Sequence, residues 1–170
     1  LVVGDIEIRA RRFVIATGST PALPPIPGLE QGPYLTNETI FDLTERPEHL
    51  IIIGAGPIGL EMAQAFRRLG SSVTVLEQAA PLAKDDPECA MIVLDQLERE
   101  GIVIRSGVKV IGIAHAGTSI TATIETAGAE QTVTGSHLLV ATGRKATIDG
   151  LALDAAGIRT PRHFRANTED

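Results

Sequence analysis

Three glycines and one acidic residue form the clearest chemical pattern in this sequence. Gly54, Gly56 and Gly59 follow a short apolar run with the spacing G-x-G-x-x-G. Glycines at this spacing permit a tight turn and let backbone N–H groups approach a pyrophosphate closely. Glu77 stands 18 residues beyond the last glycine, and its carboxylate could accept hydrogen bonds from ribose hydroxyls. The pattern therefore predicts a dinucleotide site.

The segments around this pattern are those that such a site requires. Residues 50–53 are apolar and mostly β-branched, which is typical of a strand buried on both faces. Apolar residues at helical spacing follow from Pro57 and Ile58, and residues 72–76 predict a second strand that ends at Glu77. Phosphates bind well at such a helix N-terminus, because its N–H groups are free and carry partial positive charge. In this strand–loop–helix–strand context the glycine spacing favours a dinucleotide site over the alternative, a glycine-rich turn that binds nothing.

The residue at the end of the second strand also bears on the choice of cofactor. A carboxylate at Glu77 would repel the 2′-phosphate of NADP. Residues 78–83 contain no lysine or arginine to bind that phosphate, and the first cation is Lys84. The sequence therefore favours NAD over NADP. The alternative is that Glu77 is only a solvated charge at a strand end.

The order of the remaining segments predicts the fold class. Asp86 and the following proline are typical of a helix start, and the helix is predicted to reach Glu100. Predicted strands follow at residues 102–104, 109–114, 119–125, 130–134 and 138–141. We expect an α/β fold: a Rossmann-like parallel sheet (βαβαβ) with a three-stranded β-meander crossover.

Two segments near the start of the chain carry further predictions. Residues 12–16 are interpreted as a buried strand that ends in Thr17, Gly18 and Ser19. The same Ala-Thr-Gly ending recurs after residues 138–140, and we expect both copies to deliver a small turn to a ligand. Residues 20–28 contain four prolines and are interpreted as a semi-rigid extended linker that is not packed.

Composition excludes several classes of partner and site. A net charge of −6 over 170 residues argues against nucleic acid and against an anionic membrane surface. No apolar run approaches the roughly 18 residues of a membrane span, and a cytoplasmic location is expected.

Cys89 is the one cysteine, and we interpret it as a small buried residue that fills the core. The four histidines lack ligand spacing, so no metal site is predicted. Helix capping explains the acidic residues 85, 86 and 88 better than catalysis does.

Taken in order, the segments VIATGS, PPIPG, GAGPIGLE, a strand-end Glu and ATGR resemble the pyridine nucleotide–disulfide oxidoreductases. The closest resemblance is to the dihydrolipoamide dehydrogenase and mercuric reductase branch of these flavoproteins. The resemblance implies that residues 49–143 are an NAD-binding domain. Residues 1–48 would be a stub of the FAD-binding domain with a proline-rich linker, and residues 144–170 a return stub toward that domain.

The resemblance also implies roles for individual residues. Val110 matches a position at the adenine end of NAD, and Gly143 matches a backbone contact to the nicotinamide half. Glu61 matches a supporting glutamate near the flavin and nicotinamide rings, although it could be an exposed helix charge. The implied FAD contacts are Thr17, Gly18 and Ser19. The implied NAD contacts are Gly54, Gly56, Pro57, Ile58, Gly59, Glu61, Glu77, Val110 and Gly143.

Other parts of the family pattern are missing from these 170 residues. They are the C-x-x-x-x-C redox pair, the FAD-specific glycine motif and an interface domain with a His-Glu pair. The chain begins within a strand pattern, so we interpret it as a piece of a longer polypeptide. We expect no catalytic residue here and no activity from this piece alone. Its expected partners are the FAD-binding and interface domains of a homodimeric parent.

The function implied is NAD(H) binding that positions nicotinamide for hydride exchange with flavin. One alternative is the NAD domain of a related flavoprotein without redox cysteines, of the NADH oxidase or ferredoxin reductase type. The other is a nucleotide-binding module without catalysis.

Overall fold

The computed structural model describes residues 1–158 and divides the chain into two compact units. One unit is Pro21–Arg144, and the other joins Leu1–Thr20 to the described residues from Lys145 to residue 158. The helices are α1 (Pro57–Arg68) and α2 (Pro87–Arg99). The strands are β1 (Val2–Val3), β2 (Ile6–Glu7), β3 (Ser19–Pro21), β4 (His49–Ile53), β5 (Ser72–Glu77), β6 (Val103–Ser106), β7 (Lys109–Ala116), β8 (Ser119–Thr126), β9 (Ala129–Gly135), β10 (His137–Val140) and β11 (Arg144–Ala146).

A four-stranded parallel sheet is the centre of the larger unit. Its strand order is β10-β4-β5-β6, with α1 between β4 and β5 and α2 between β5 and β6. The antiparallel sheet β7-β8-β9 lies in the connection from β6 to β10. The predicted Rossmann-like fold with a β-meander crossover is confirmed.

The central strands are buried on both faces, as their unbroken apolar sequences predict. Ile51 and Ile53 of β4 pack in one core cluster with side chains of the meander, including Ile113 and Ile124. Leu50 and Ile52 belong to a second cluster with α1 and α2. Since successive side chains of a strand point to opposite faces, the sheet lies between a helical layer and the meander.

The helices present slightly different faces to the core than the sequence predicts. Leu69, which helical spacing places on one apolar face with Met62 and Phe66, is 66% exposed at the end of α1, whereas Leu60 is buried. A Cβ on Gly59 would lie 2.1 Å from the carbonyl oxygen of Gly54. The backbone of α1 at Gly59 therefore packs directly against the loop that precedes the helix. The prediction that Cys89 is buried is wrong. Ala90 takes the inward position on α2, and Cys89 is exposed beside it.

The strand predicted at residues 12–16 is absent from the structure. These residues form neither strand nor helix, and the side chain of Val14 is 90% exposed. A strand needs a neighbour for its backbone N–H and C=O groups, and no strand in residues 1–158 pairs with this segment. Its counterpart β10 pairs with β4 and is buried, so the two Ala-Thr-Gly segments differ in structure.

The proline-rich segment is packed, contrary to the prediction of a free linker. The carbonyl oxygen of Pro27 accepts a 2.8 Å hydrogen bond from the N–H of Ile113 in the meander. Leu29, directly after the segment, is 1% exposed. Gly28 has a φ of +82°, and a Cβ there would lie 1.9 Å from the carbonyl oxygen of Ile113. This close backbone approach joins the segment to the same compact unit as the central sheet.

Candidate functional site

A cleft of about 700 Å³ opens at the carboxyl ends of the central parallel strands. Such strand ends are where ligands bind in open α/β sheets. The loops after β4, β5 and β10 line the cleft together with the start of the meander and part of the proline-rich segment. The lining residues are Pro24–Ile26, Asn37, residues 53–58, 76–80, 82–85, 108–110 and 140–143.

The three glycines of the G-x-G-x-x-G motif have different structural roles in the loop after β4. Gly54 has a φ of +108°, and a Cβ on it would lie 2.4 Å from the carbonyl oxygen of Ala141. Gly59 touches the backbone of Gly54 closely and does not line the cleft. Gly56 does line it, and a Cβ there would meet no atom within 4 Å. Gly54 and Gly59 therefore permit the packing of the loop, whereas Gly56 leaves open space for a ligand.

The N-terminus of α1 borders this open space and carries no cap of its own. Gly56 is the N-cap residue, no side chain bonds the first-turn N–H groups, and no acidic residue lies in the first turn. By contrast, Asp86 accepts hydrogen bonds from two N–H groups at the start of α2, as its predicted capping role requires. The unpaired N–H groups of α1 and its partial positive charge suit an anionic ligand such as a pyrophosphate.

Glu77 lies at the carboxyl end of β5, and two backbone bonds fix its carboxylate. Oε2 accepts from the N–H of Ala55 at 2.8 Å, and Oε1 accepts from the N–H of Ala79 at 2.8 Å. A carboxylate oxygen can accept two hydrogen bonds. Each oxygen therefore keeps capacity for a further donor, such as a ribose hydroxyl.

Two lysines also line the cleft. Lys84 is the cation that the sequence identified, whereas Lys109 at the start of β7 was missed. Lys109 lies 32 residues beyond Glu77 in the sequence, and only the pairing of β5 with β6 and the turn into the meander bring it to the cleft. The acidic side chain of Asp85 lines the same region.

The far end of the cleft combines the predicted turn at Gly143 with Asn37, which was not among the predicted contacts. The Thr142 hydroxyl donates to the carbonyl oxygen of Ala22 at 2.8 Å, and the N–H of Ala22 donates to the carbonyl oxygen of Gly143 at 2.9 Å. Asn37 lies here and accepts from Arg144. The repeated Ala-Thr-Gly was a signal for Thr142. The sequence around Asn37 indicated only a helix cap, because its place at the cleft depends on the segment that pairs with β10 through Leu35.

The family model for pyridine nucleotide-disulphide oxidoreductases matches residues 2–169. The chain belongs to this family. The recognition made from the sequence is therefore confirmed, and the family implies FAD and a pyridine nucleotide as cofactors.

Curated relatives of this oxidoreductase chain agree with the branch expected. A mercuric reductase from Streptomyces lividans is 39% identical over 157 residues, which cover 92% of this chain and 33% of the relative. A dihydrolipoyl dehydrogenase from Chlorobaculum tepidum is 37% identical over 159 residues, covering 91% and 34%. The chain thus spans about a third of the length of the curated relatives it matches.

Solved structures of flavoprotein disulfide reductases share the fold. The HOCl-induced flavoprotein disulfide reductase RclA from Escherichia coli, as a Cu(II) complex, aligns with a TM-score of 0.75 at 31% identity, covering 85% of this chain and 33% of that one. LpdA from Mycobacterium tuberculosis aligns with a TM-score of 0.75 at 28% identity, covering 86% and 31%.

The structure brings most of the predicted NAD contacts of this family member together. Those that line the cleft are Gly54, Gly56, Pro57, Ile58, Glu77, Val110 and Gly143. Glu61 does not line it. Glu61 is exposed on α1 and borders a second groove of about 380 Å³, which also contains Cys89 and Asp85.

The predicted FAD contacts belong to the smaller unit. The hydroxyl of Thr17 donates to the carbonyl oxygen of Thr147, and the carbonyl oxygen of Gly18 accepts from the N–H of Thr147 at 2.9 Å. Ser19 begins strand β3. These bonds tie the first Ala-Thr-Gly turn to the residues after β11.

Residues 1–158 contain neither a metal-binding cluster nor a membrane-spanning helix. No group of three or more histidine, cysteine, aspartate or glutamate side chains within residues 1–158 could hold a metal ion. Neither helix among these residues has the length and apolar character needed to cross a membrane.

Proposed function

We propose that the unit Pro21–Arg144 binds NAD(H) in its cleft and presents the nicotinamide for hydride exchange with FAD. The observation that carries this proposal is the uncapped N-terminus of α1, which meets the cleft at Gly56, where the backbone is open to a ligand. An anion fits there, and the loops on either side supply groups suited to the two halves of a dinucleotide.

Each proposed contact follows from the chemistry of the residue. The pyrophosphate would lie against Gly56 and the first turn of α1, and the adenosine ribose would donate to Glu77. Val110 would line the adenine end with an apolar surface. Gly143 would offer its backbone to the nicotinamide half, on the opposite side of the glycine loop. The strand order supports this arrangement, because β5 and β10 flank β4 on its two sides.

The work of these residues is binding and orientation. The bound nicotinamide supplies hydride-transfer chemistry, which no side chain of the chain supplies itself. Glu77 would hold the adenosine end of NAD. The contacts around Gly143, at the other end of the cleft, would then determine the position of the nicotinamide ring. Glu61 would support the flavin side of the nicotinamide. NAD rather than NADP is proposed because Glu77 is anionic and has its carboxylate already oriented.

The FAD-related proposals rest on the family rather than on the cleft. We propose that Thr17, Gly18 and Ser19 contact FAD, and that residues 1–48 and 144–170 belong with an FAD-binding domain. A relative named as a flavoprotein disulfide reductase supports this assignment. On this proposal, residues 49–143 form the NAD-binding domain of an FAD-dependent, dihydrolipoamide dehydrogenase-like parent. The remaining domains of that parent are its partners.

A fluorescence titration tests the binding proposal. The 170-residue chain is titrated with NADH and with NADPH, and reduced-nicotinamide fluorescence is followed. The chain has no tryptophan, so protein background is low. NADH bound at least about tenfold more tightly, a gap of about 1.4 kcal/mol, supports the proposal and its selectivity. Equal affinities would remove Glu77 as the selector, and binding of neither would contradict the proposed function.

A further inference from the structure

Arg144 holds the side chain of Asn37 at one end of the cleft. The guanidinium Nη1 donates to Asn37 Oδ1 at 3.0 Å, and Nη2 lies 3.3 Å from Oε1 of Glu38. Arg144 directly follows Gly143, and both Asn37 and Gly143 line the cleft. The sequence of residues 36–38 predicts the cap of a short helical turn, and no ligand contact is predicted for Asn37.

The chemistry of the pair determines which way the amide faces. A guanidinium only donates hydrogen bonds, so Asn37 must turn its carbonyl oxygen toward Arg144. Its NH2 group then faces the other way with two N–H donors. Within residues 1–158, the Asn37 side chain makes one hydrogen bond, which its carbonyl oxygen accepts from Arg144. The NH2 group is therefore available to whatever occupies the cleft.

The position of Asn37 selects the part of the ligand that it can reach. Glu77 ends β5, and Gly143 follows β10, on the other side of β4. Neighbouring strands lie about 4.8 Å apart, so the two ends of the cleft are separated by about two strand spacings. If the ribose of the adenosine lies at Glu77, the Asn37 end receives the nicotinamide half.

We propose that Asn37 binds the carboxamide oxygen of the nicotinamide through its NH2 group, and that Arg144 is the positioning residue that orients the amide. This inference rests on the proposed function. Asn37 supplies the donor that a carboxamide oxygen requires. Glu38 pairs with the other arm of the guanidinium at the exposed edge of the site, with its side chain 52% exposed.

Ligands that lack one part of NADH locate the contact. Asn37→Ala is compared with the unchanged chain by isothermal titration calorimetry with NADH, ADP-ribose and ADP. Loss of one hydrogen bond should weaken NADH binding about three- to tenfold and leave the other two ligands within about twofold. Glu38→Gln is the matched control, since it removes the ion pair but keeps the Asn37 bond. It should leave all three affinities within about twofold.

Each other result contradicts a definite part of the proposal. Equal weakening of all three ligands, or of none, would overturn the role of Asn37. Weakening of ADP-ribose together with NADH would assign the contact to the ribose and overturn the carboxamide assignment. If the unchanged chain binds neither NADH nor ADP, the proposed function itself fails, and this inference fails with it.

The positioning role of Arg144 has its own readout. Arg144→Met should weaken NADH binding as Asn37→Ala does, because the amide is then free to turn over. Arg144→Lys keeps a donor and should restore part of the affinity; no restoration would overturn the positioning role. The side-chain ¹⁵N–¹H pair of Asn37, assigned by its absence from Asn37→Ala, should shift with NADH but not with ADP-ribose. The same shift with both ligands would contradict the proposal.

Discussion

The N–H of Ala55 donates a 2.8 Å hydrogen bond to Oε2 of Glu77, across 22 residues of sequence. Ala55 is the variable residue inside the first G-x-G, and Glu77 is the acidic residue at the end of the next strand. Glu77, which is proposed to bind the adenosine ribose, therefore also holds the glycine loop after β4 in place. Changes at Glu77 should act on both parts of the site.

Glu77→Gln should weaken NADH binding by about tenfold or more. The amide has one accepting oxygen, so its NH2 group would face the N–H of either Ala55 or Ala79, and one hydrogen bond of the loop would be lost. NADPH binding should fall less, because removal of the negative charge also removes repulsion of the 2′-phosphate. Fluorescence titration with both nucleotides measures the change.

Asp85→Asn is the control for this change, since Asp85 is another acidic residue that lines the cleft. It should alter NADH affinity by less than about twofold. Unchanged NADH binding by Glu77→Gln would show that the carboxylate contributes neither to the ribose contact nor to the loop.

Gly56→Ala and Gly59→Ala should separate binding from folding. A Cβ on Gly56 enters open space, so this variant should keep its free energy of unfolding and lose NADH binding by about tenfold or more. A Cβ on Gly59 would lie 2.1 Å from the carbonyl oxygen of Gly54. That variant should lose about 2 kcal/mol or more of stability. Urea denaturation and NADH titration of both variants check this, and full binding by Gly56→Ala would contradict the pyrophosphate assignment.

The end of α2 should make the stability of the protein depend on acidic pH. Arg68 donates to both carboxylate oxygens of Glu100, at 2.9 and 2.7 Å, and Gln96 and Gln64 also donate to this group. These hydrogen bonds, that of Arg68 first, lower the pKa of Glu100 from 4.5 to about 2. Because the folded-state pKa is depressed, the stabilisation is complete above pH 4.5 and is lost as the pH falls toward 2.

Glu100→Gln should therefore flatten the fall in the free energy of unfolding between pH 4.5 and 2, measured by urea denaturation at several pH values. Glu98→Gln, which removes a carboxylate two residues before Glu100 at the end of α2, serves as the control and should keep the slope of the unchanged protein. Identical slopes for Glu100→Gln and the unchanged protein would show that the Arg68–Glu100 pair does not stabilise the fold.

Gly28→Ala tests the packing of the proline-rich segment on the meander. The added Cβ would lie 1.9 Å from the carbonyl oxygen of Ile113, at a residue whose φ is +82°. Gly128→Ala is a matched control, because Gly128 has a φ of +80° and no atom within 4 Å of an added Cβ. Gly28→Ala should be the more destabilising by about 1–3 kcal/mol in urea denaturation. Equal losses would mean that the segment is a free linker.

The local features of the site could be predicted from the sequence. A strand buried on both faces, a glycine turn, a helix and a strand-end Glu77 are each specified by neighbouring residues, through apolar periodicity and the backbone freedom of glycine. The same local signals identified the cap at Asp86. The predicted strands 119–125 and 130–134 were also found, since alanine–glycine between two alternating segments favours a tight turn, and the structure has positive φ at residues 127 and 128.

The tertiary structure alone decided the features that depend on distant partners. The apolar residues 12–16 suit a strand by composition, but no strand among the described residues supplies hydrogen bonds for it. Asn37 and Lys109 reach the cleft only because strand pairing brings their segments to the carboxyl ends of β10 and β5. The carbonyl oxygen of Asn37 accepts from Arg144, more than 100 residues away in the sequence, a contact that only the tertiary structure creates. The local sequence pattern determined the glycine loop after β4, whereas hydrogen bonds between distant segments determined which residues surround it.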